Sequence, residues 1–440
     1  MPYWLGAWAI QLAPKGLPLD TAAQLPFIAL LGLTLAATWY AVYALARTPA
    51  AQPVSFAFGG EAQPTDYARA MADAGLLALV ACLGLAQLSH ETTPDLARLA
   101  WVSLMLFAAA RLAHSGNRRP ARSVFAWGIA TSALILSGAP WMAASLGSGL
   151  LLALWFSRRG ASAVSPTTEW PLESTAATRD PLPLAAALFA VVFAASVFAG
   201  MVPAPTIETP LDEFQWRSWG KLLVWFTWPA WPLALWTLWR WRHQWLRPHV
   251  ALPLWAALVS VADSAASDER DRALLLALPA MAALAAFALP TLRRSVSALV
   301  DWFTLVFFSG CALVIWVIWV AMQTGVPAKP AANVAKLAPG FVPQFSALAL
   351  LVAVAATVGW CGLAWWRASR NRAPIWKSLV LPAGGAALGW LLLMTLWLPL
   401  LDYARSYRPQ VSSVVAALGP SPGCVQSLGL NRAQVAALQY

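Results

Sequence analysis

Apolar stretches of about twenty residues recur along almost the whole chain, and each is long enough to cross about 30 Å of hydrocarbon. Hydrophobic residues make up 60% of the 440 residues and charged residues only 11%, whereas a soluble domain carries about 25% charged residues. In lipid the backbone must satisfy its own hydrogen bonds, which leaves helices or a closed barrel. The stretches are continuous rather than alternating with period two, which predicts helices. We therefore expect an all-α, polytopic transmembrane helical bundle.

The predicted bundle has about twelve spans. They lie near 23–46, 68–90, 94–113, 121–139, 140–157, 183–201, 217–239, 248–263, 273–290, 298–322, 344–366 and 378–399. Residues 1–22 are predicted to be the end of an outer loop or an interfacial helix, and 23–400 the transmembrane domain. Residues 401–440 are polar enough to leave the bilayer and are predicted to form a short, outward-facing C-terminal segment.

Charge alternates between successive loops, which indicates the orientation. Basic loops contain Arg111, Arg118, Arg119 and Arg122; Arg240, Arg242 and Arg247; Arg293 and Arg294; and Arg367, Arg370, Arg372 and Lys377. The loops between them contain Glu208, Asp212 and Glu213; Asp263, Asp268, Glu269 and Asp271; and Asp402. Because cationic loops remain in the cytoplasm, we expect a multi-pass protein of a bacterial inner membrane whose N-terminus and C-terminal segment both face outward.

The formal net charge of +11 is not a nucleic-acid signal, because the basic residues follow this loop pattern. We expect membrane lipids as partners and no nucleic acid.

A possible site begins in the second outer loop, where His90 and Glu91 lie together at the membrane boundary. Ionisable residues in such a place are site candidates, and a carboxylate beside an imidazole can share a proton or bind a metal. Asp95 has a simpler explanation. It lies in the first turn of a predicted helix whose N-cap is Thr92 or Thr93, where a carboxylate favours the helix dipole.

Cations at the outer head-group level form the second candidate set. Arg270 and Arg272 precede the predicted span 273–290, and Lys221 lies near the start of the span 217–239. Such cations can hold a lipid phosphate by charge-assisted hydrogen bonds. They equally suit a solvated loop whose charges pair with one another, or contact with anionic lipids.

Three short segments resemble the lipid-linked-sugar glycosyltransferases of the GT-C superfamily, in the branch of the lipid A aminoarabinose transferases and protein O-mannosyltransferases. These segments are Pro2–Ala7 (PYWLGA), His90–Pro94 (HETTP), and Asp271–Arg272 followed by Leu276–Pro279 (LALP). The resemblance implies a GT-C-like bundle that transfers a sugar from a polyprenyl (undecaprenyl) phosphate donor to a lipid or glycan acceptor, such as lipid A, at the periplasmic face. It implies catalytic roles for Glu91 and His90 and phosphate contacts for Arg270, Arg272 and Lys221. The resemblance identifies no definite cofactor, and a divalent metal at His90 and Glu91 is left open.

The resemblance fails at the N-terminus. Members of the family have a first helix and an outer loop with the catalytic acidic residue ahead of the YWLGA-like stretch, whereas here Met1 comes immediately before it. We therefore expect that the sequence lacks that helix and that loop, and with them the main general base.

Two other classes of function remain open, a lipid or polysaccharide flippase and a non-catalytic membrane scaffold. Ion-coupled transporters carry ionisable residues in mid-span or paired broken helices. Mid-span charges are nearly absent here, since Asp73 and Asp301 lie near cytoplasmic ends of predicted spans.

Overall fold

The computed structural model describes residues 2–14, 16–52, 63–114, 120–162, 180–204, 215–368, 375–418, 426, 428–430 and 432–439, and over these residues it is helical without a strand. In chain order the helices are α1 (Pro2–Leu12), α2 (Leu19–Ala46), α3 (Pro64–Ala81), α4 (Leu83–Leu88), α5 (Pro94–Ala113), α6 (Pro120–Leu136), α7 (Pro140–Ser162), α8 (Pro181–Phe198), α9 (Trp216–Phe226), α10 (Ala230–Arg240), α11 (Pro248–Ala266), α12 (Arg270–Leu275), α13 (Leu278–Ala288), α14 (Arg294–Thr324), α15 (Ala328–Leu337), α16 (Ala347–Ala368), α17 (Val380–Leu392), α18 (Leu398–Arg405), α19 (Arg408–Leu418) and α20 (Arg432–Gln439).

The all-α prediction is confirmed, and the protein is a multi-pass membrane protein. Eight described helices are long and apolar enough to span a bilayer. They are Leu19–Ala46, Pro94–Ala113, Pro140–Arg159, Pro181–Phe198, Pro248–Ala266, Ser295–Thr324, Ala347–Arg367 and Lys377–Ala404. The predicted spans 121–139 and 273–290 correspond to shorter apolar helices, Pro120–Leu136 and Leu278–Thr291. The total of twelve spans stays a prediction.

Proline begins many of these helices. Pro64, Pro94, Pro140, Pro181 and Pro248 each occupy the first position of a helix, where the missing N–H costs no hydrogen bond and the fixed φ suits the helix. At α8 the Asp180 carboxylate also accepts a hydrogen bond of 3.0 Å from the Leu182 amide, a side-chain N-cap.

Two predicted spans are broken rather than continuous, and the breaks contact each other. The span predicted at 68–90 is interrupted at Cys82, between α3 and α4, and that at 217–239 is interrupted at 227–229, between α9 and α10. The Leu83 amide donates to the Trp228 carbonyl oxygen at 3.2 Å. A backbone group that lacks its helical hydrogen bond in a membrane span needs a protein partner, because lipid offers none. Here the amide at one break and the carbonyl oxygen at the other are each other's partners.

Contacts divide the chain into two compact units, and the first comprises Met1–Val306 and Leu363–Ala387. Within it, α2 packs along α5, and α13 packs against α3, α10 and α11. Every residue of α13 except Met281 is buried, and six of its eleven residues are alanines. A helix that is apolar on all sides belongs in the interior, and small side chains allow neighbouring backbones to approach closely.

Near the predicted cytoplasmic side, several charged groups of the first unit are buried or partly buried and have protein partners. Arg367 on α16 donates to both carboxylate oxygens of Asp301 on α14, from Nε at 3.2 Å and from Nη2. The buried Lys377 ammonium lies 5.1 Å from the centroid of the Trp366 ring. The Asp73 carboxylate accepts from Trp39 Nε1 at 2.9 Å. These contacts explain how the charges are tolerated at the ends of apolar helices.

The second unit comprises Phe307–Gly362 and Leu388–Tyr440. Trp316 donates to Thr357 Oγ1 at 3.1 Å and Trp360 donates to Ser309 Oγ at 3.0 Å, which joins α14 and α16 through reciprocal indole bonds. A π-helical turn at Leu393–Trp397 precedes α18, and Trp397 donates to the Ile315 carbonyl oxygen at 3.1 Å. The Tyr403 hydroxyl donates to the Pro339 carbonyl oxygen at 2.7 Å.

The residues predicted to form outer and terminal segments are partly described. Residues 1–22 contain α1, where Tyr3, Trp4 and Trp8 are exposed, and 401–440 contain part of α18, then α19 and α20. The division into 1–22, 23–400 and 401–440 remains a prediction. Several charges used for the orientation lie outside the described residues, namely Arg118, Arg119, Glu208, Asp212, Glu213, Arg370 and Arg372.

Candidate functional site

An ion pair between Glu91 and Arg272 is the centre of the candidate site. Glu91 follows the end of α4, where its amide donates to the Leu88 carbonyl oxygen at 3.2 Å. Arg272 lies on the six-residue helix α12. Its Nη2 donates to Glu91 Oε2 at 3.2 Å, although 181 positions separate the two residues in the chain. Their side chains are 29% and 34% exposed, so the pair is accessible but partly desolvated.

A second carboxylate binds the same guanidinium. Arg272 Nη1 donates to Glu269 Oε2 at 2.8 Å, and the Glu269 side chain is 67% exposed. The Asp271 carboxylate accepts from the Arg272 backbone amide at 2.9 Å. Glu269 is the N-cap residue of α12, so the pair joins the start of the helix to its third residue. One arginine therefore holds one half-buried and one exposed carboxylate.

The electrostatics of Arg272 are dominated by acidic neighbours. Burial lowers the pKa of Arg272, but the bond to Glu269 and the charges of Glu269, Glu91 and Asp95 outweigh it, so that the pKa is raised from its ordinary value. Opposite charges at this range stabilise the charged form. Three acidic side chains therefore act on this guanidinium, and two of them are bonded to it.

Asp95 belongs to the same region but has a mainly structural partner. Thr93 occupies the N-cap position of α5, as predicted, yet its side chain makes no capping bond. Asp95 is buried and accepts from Arg98 Nη1 at 2.8 Å. Arg98 also donates from Nε to the Ser137 carbonyl oxygen at 3.1 Å and from Nη2 to that of Gly138 at 3.4 Å. Asp95 and Arg98 thus attach the start of α5 to the turn between α6 and α7.

The other predicted site residues lie nearby without a demonstrated role. His90 is exposed and adjoins Glu91, and Arg270 is half-buried in the first turn of α12. Lys221 is exposed on α9, a helix that contacts both α4 and α12. It lines a shallow cleft of about 480 Å³ together with Gln215, Trp216, Arg217 and Ser218. The structure brings Glu91 and Arg272 together, and among the described residues it pairs Lys221 with no carboxylate.

The described residues do not fit a divalent metal. No three His, Cys, Asp or Glu side chains among them are grouped so that they could hold an ion. His90 and Glu91 are only two such groups, and the Glu91 carboxylate already accepts from Arg272. We therefore assign no step to a metal.

Sequence reasoning missed Glu269 and Arg98 as members of this region. Both lie three positions from their partners, Arg272 and Asp95, and such i,i+3 spacing of opposite charges is a recognisable signal in helices. The contact between Glu91 and Arg272 had no comparable local signal, because it joins distant parts of the chain.

The fold of the chain is similar to that of one solved structure, whereas its sequence matches no known family. No protein-family profile and no curated protein sequence matches the chain. Among solved structures it is similar to the crystal structure of ArnT from Cupriavidus metallidurans bound to undecaprenyl phosphate, with a TM-score of 0.56 and 18% sequence identity. The similarity covers 95% of this chain and 69% of that one. At this level of identity the comparison concerns architecture, and the chain has the helical fold of ArnT.

Proposed function

We propose that the protein is a membrane glycosyltransferase that moves a sugar from a polyprenyl-phosphate donor to an acceptor hydroxyl at the periplasmic face of the inner membrane. The observation that carries the proposal is the ion pair between Glu91 and Arg272, in a chain whose fold is that of a protein crystallised with undecaprenyl phosphate. An arginine and a carboxylate at the predicted outer head-group level are the two groups that such a transfer needs.

In the proposed reaction, the acceptor oxygen forms a bond to the anomeric carbon of the sugar while the bond from that carbon to the phosphate oxygen breaks. The Glu91 carboxylate takes the proton of the acceptor hydroxyl. Arg272, with Arg270 and Lys221 nearby, stabilises the negative charge of the departing polyprenyl phosphate. Inversion at the anomeric carbon is expected for a direct displacement, and the acceptor is lipid A or another envelope glycan.

The test uses purified full-length protein with a polyprenyl-phosphate sugar donor and an envelope glycolipid acceptor. We expect Glu91→Gln to reduce the turnover number by about 10²–10⁴-fold, the usual contribution of a general base. Arg272→Gln should reduce turnover and also raise the KM for the donor, because it removes a charge-assisted phosphate contact.

Arg69→Gln provides the matched control, since Arg69 forms an i,i+3 pair with Asp66 at 3.3 Å, in which both side chains are largely exposed. Its turnover should equal that of the unchanged protein. If the Glu91 variant and this control have equal turnover and the same melting temperature, Glu91 does not act in the reaction.

One observation favours lipid translocation as a second candidate function. The interruptions at Cys82 and at 227–229 form a pair of broken helices that contact each other, a feature that substrate pathways through membranes use. Both breaks are buried, as Cys82, Phe226 and Thr227 show. Movement of a fluorescent polyprenyl-phosphate sugar across vesicles containing the protein, with no transfer to acceptor, would favour this function over the transferase.

A further inference from the structure

Arg272 is not free to receive a phosphate in the arrangement described above. Two of its nitrogens donate to carboxylates, Nη1 to Glu269 at 2.8 Å and Nη2 to Glu91 at 3.2 Å. Asp95 adds a third negative charge close enough to affect its pKa. An anionic ligand that is to accept hydrogen bonds from both terminal nitrogens must compete with these carboxylates.

The two carboxylates differ in how easily they can be released from the Arg272 guanidinium. The Glu269 side chain is 67% exposed and its pair with Arg272 lies within one turn of a short helix. Exposed pairs of this kind contribute little to stability, and the freed carboxylate would return to full hydration. Glu91 is only 29% exposed, so its release from Arg272 would leave a partly desolvated charge without a partner.

We propose that Glu269 is an exchangeable occupant of the phosphate position on Arg272, displaced into solvent when the polyprenyl phosphate binds, while Glu91 stays bonded to the same guanidinium. This inference rests on the proposed function. The donor, a polyprenyl-phosphate sugar, is a phosphodiester with one negative charge, and a carboxylate also carries one. Exchange of Glu269 for the donor therefore leaves the local charge unchanged. Glu269 then sets the affinity for the donor, and Arg272 positions Glu91 beside the phosphate throughout.

If Glu269 competes with the phosphate, removing its charge from the site improves the binding of the ligand. Glu269→Gln should tighten the binding of undecaprenyl phosphate to the full-length protein in detergent by about two- to tenfold, since the ligand no longer competes with the carboxylate. Damage to the fold would weaken binding, so a gain of affinity cannot come from misfolding.

Asp268→Asn is the matched control. It removes the same charge from the neighbouring position, and Asp268 is not among the groups bonded to the Arg272 guanidinium. Its affinity for undecaprenyl phosphate should stay within about twofold of the unchanged protein, since an exposed charge acts weakly at a distance. Arg272→Gln should weaken binding about tenfold or more, the effect of losing a charge-assisted contact. Two further ligands separate the contributions of the tail and the head group. Undecaprenol has the same tail without the phosphate, and inorganic phosphate has no tail.

The outcomes are distinct. Tighter binding by Glu269→Gln but not by Asp268→Asn supports the exchange. If the unchanged protein binds undecaprenyl phosphate through Arg272 and the Glu269 variant binds no more tightly, the exchange is wrong and the proposed function stands. If no variant distinguishes undecaprenyl phosphate from undecaprenol, the proposed function itself is wrong, and the exchange with it.

Discussion

Gly149 is a position where the absence of a side chain determines helix packing. A Cβ atom at this position would lie 1.9 Å from Nε1 of Trp255, well inside contact distance. That indole also donates to the Ser145 carbonyl oxygen at 3.1 Å, one turn earlier on α7. The close approach of α7 and α11 therefore depends on a single missing methyl group.

We expect Gly149→Ala to lower the free energy of unfolding by about 1–3 kcal/mol, the usual cost of overpacking. The indole must move and its bond to Ser145 must lengthen. Gly310→Ala on α14 is the control because a Cβ there meets nothing within 4 Å, and alanine is the better helix former by about 1 kcal/mol. Thermal unfolding of both variants in the same detergent measures the difference. A Gly149 variant as stable as the Gly310 variant would contradict this account of the packing.

The contacts of individual candidate residues were predictable from the sequence only where they follow a local pattern. Glu91 and Arg272 were chosen for their position at the outer ends of apolar spans, and both lie in the described ion pair. That they bind each other was not predictable, because 181 residues separate them and hydropathy carries no information on which helices are neighbours. The pair of Glu269 with Arg272 has i,i+3 spacing, a local signal that the sequence does contain.

At the scale of helices, Arg98 fixes the start of α5 to the turn that follows α6. Its three donors serve one carboxylate and two carbonyl oxygens, of Asp95, Ser137 and Gly138. The planar fork of arginine suits three such partners, and a lysine ammonium has the charge without the geometry. Since Asp95 is buried, losing part of this set leaves desolvated acceptors.

Arg98→Lys is therefore expected to lower the free energy of unfolding by about 1–3 kcal/mol, because one ammonium cannot serve both the buried Asp95 carboxylate and the partly buried Ser137 carbonyl oxygen. The same change at Arg69 should cost less than about 1 kcal/mol, because the Arg69–Asp66 pair is exposed. Chemical or thermal unfolding in detergent distinguishes the two. Equal losses at both positions would show that Arg98 acts only as a charge.

The helices themselves were largely predictable, and their interruptions were not. Each predicted span corresponds to a described helix or pair of helices, because hydropathy over about twenty residues measures the property that lipid selects. The break at Cys82 occurs in apolar sequence without a proline, whereas the break at 227–229 includes Pro229, a residue type that interrupts helices. Proline is an unreliable sign of a break, since Pro26 and Pro253 lie inside the uninterrupted helices α2 and α11.

At the scale of the whole molecule, the orientation in the membrane decides whether the candidate site can meet a periplasmic substrate. The alternation of basic and acidic loops predicts that Asp268 lies outside and Arg242 inside. Both residues are exposed in the described structure, so each can report on the side that it faces.

We expect a cysteine replacing Asp268 to react with an impermeant thiol reagent in intact spheroplasts, and a cysteine replacing Arg242 to react only after the membrane is opened. The four native cysteines, Cys82, Cys311, Cys361 and Cys424, are first replaced by alanine. The opposite labelling pattern would invert the orientation and place the candidate site in the cytoplasm.

The long separation between Glu91 and Arg272 also bears on how the protein is made. During synthesis Glu91 reaches the membrane well before Arg272 leaves the ribosome, since Arg272 follows it by 181 positions. A nascent chain that stops within this interval inserts helices but holds an unpartnered carboxylate at their end. The ion pair between Glu91 and Arg272 can then form only after the later helices have been inserted and have packed against the earlier ones.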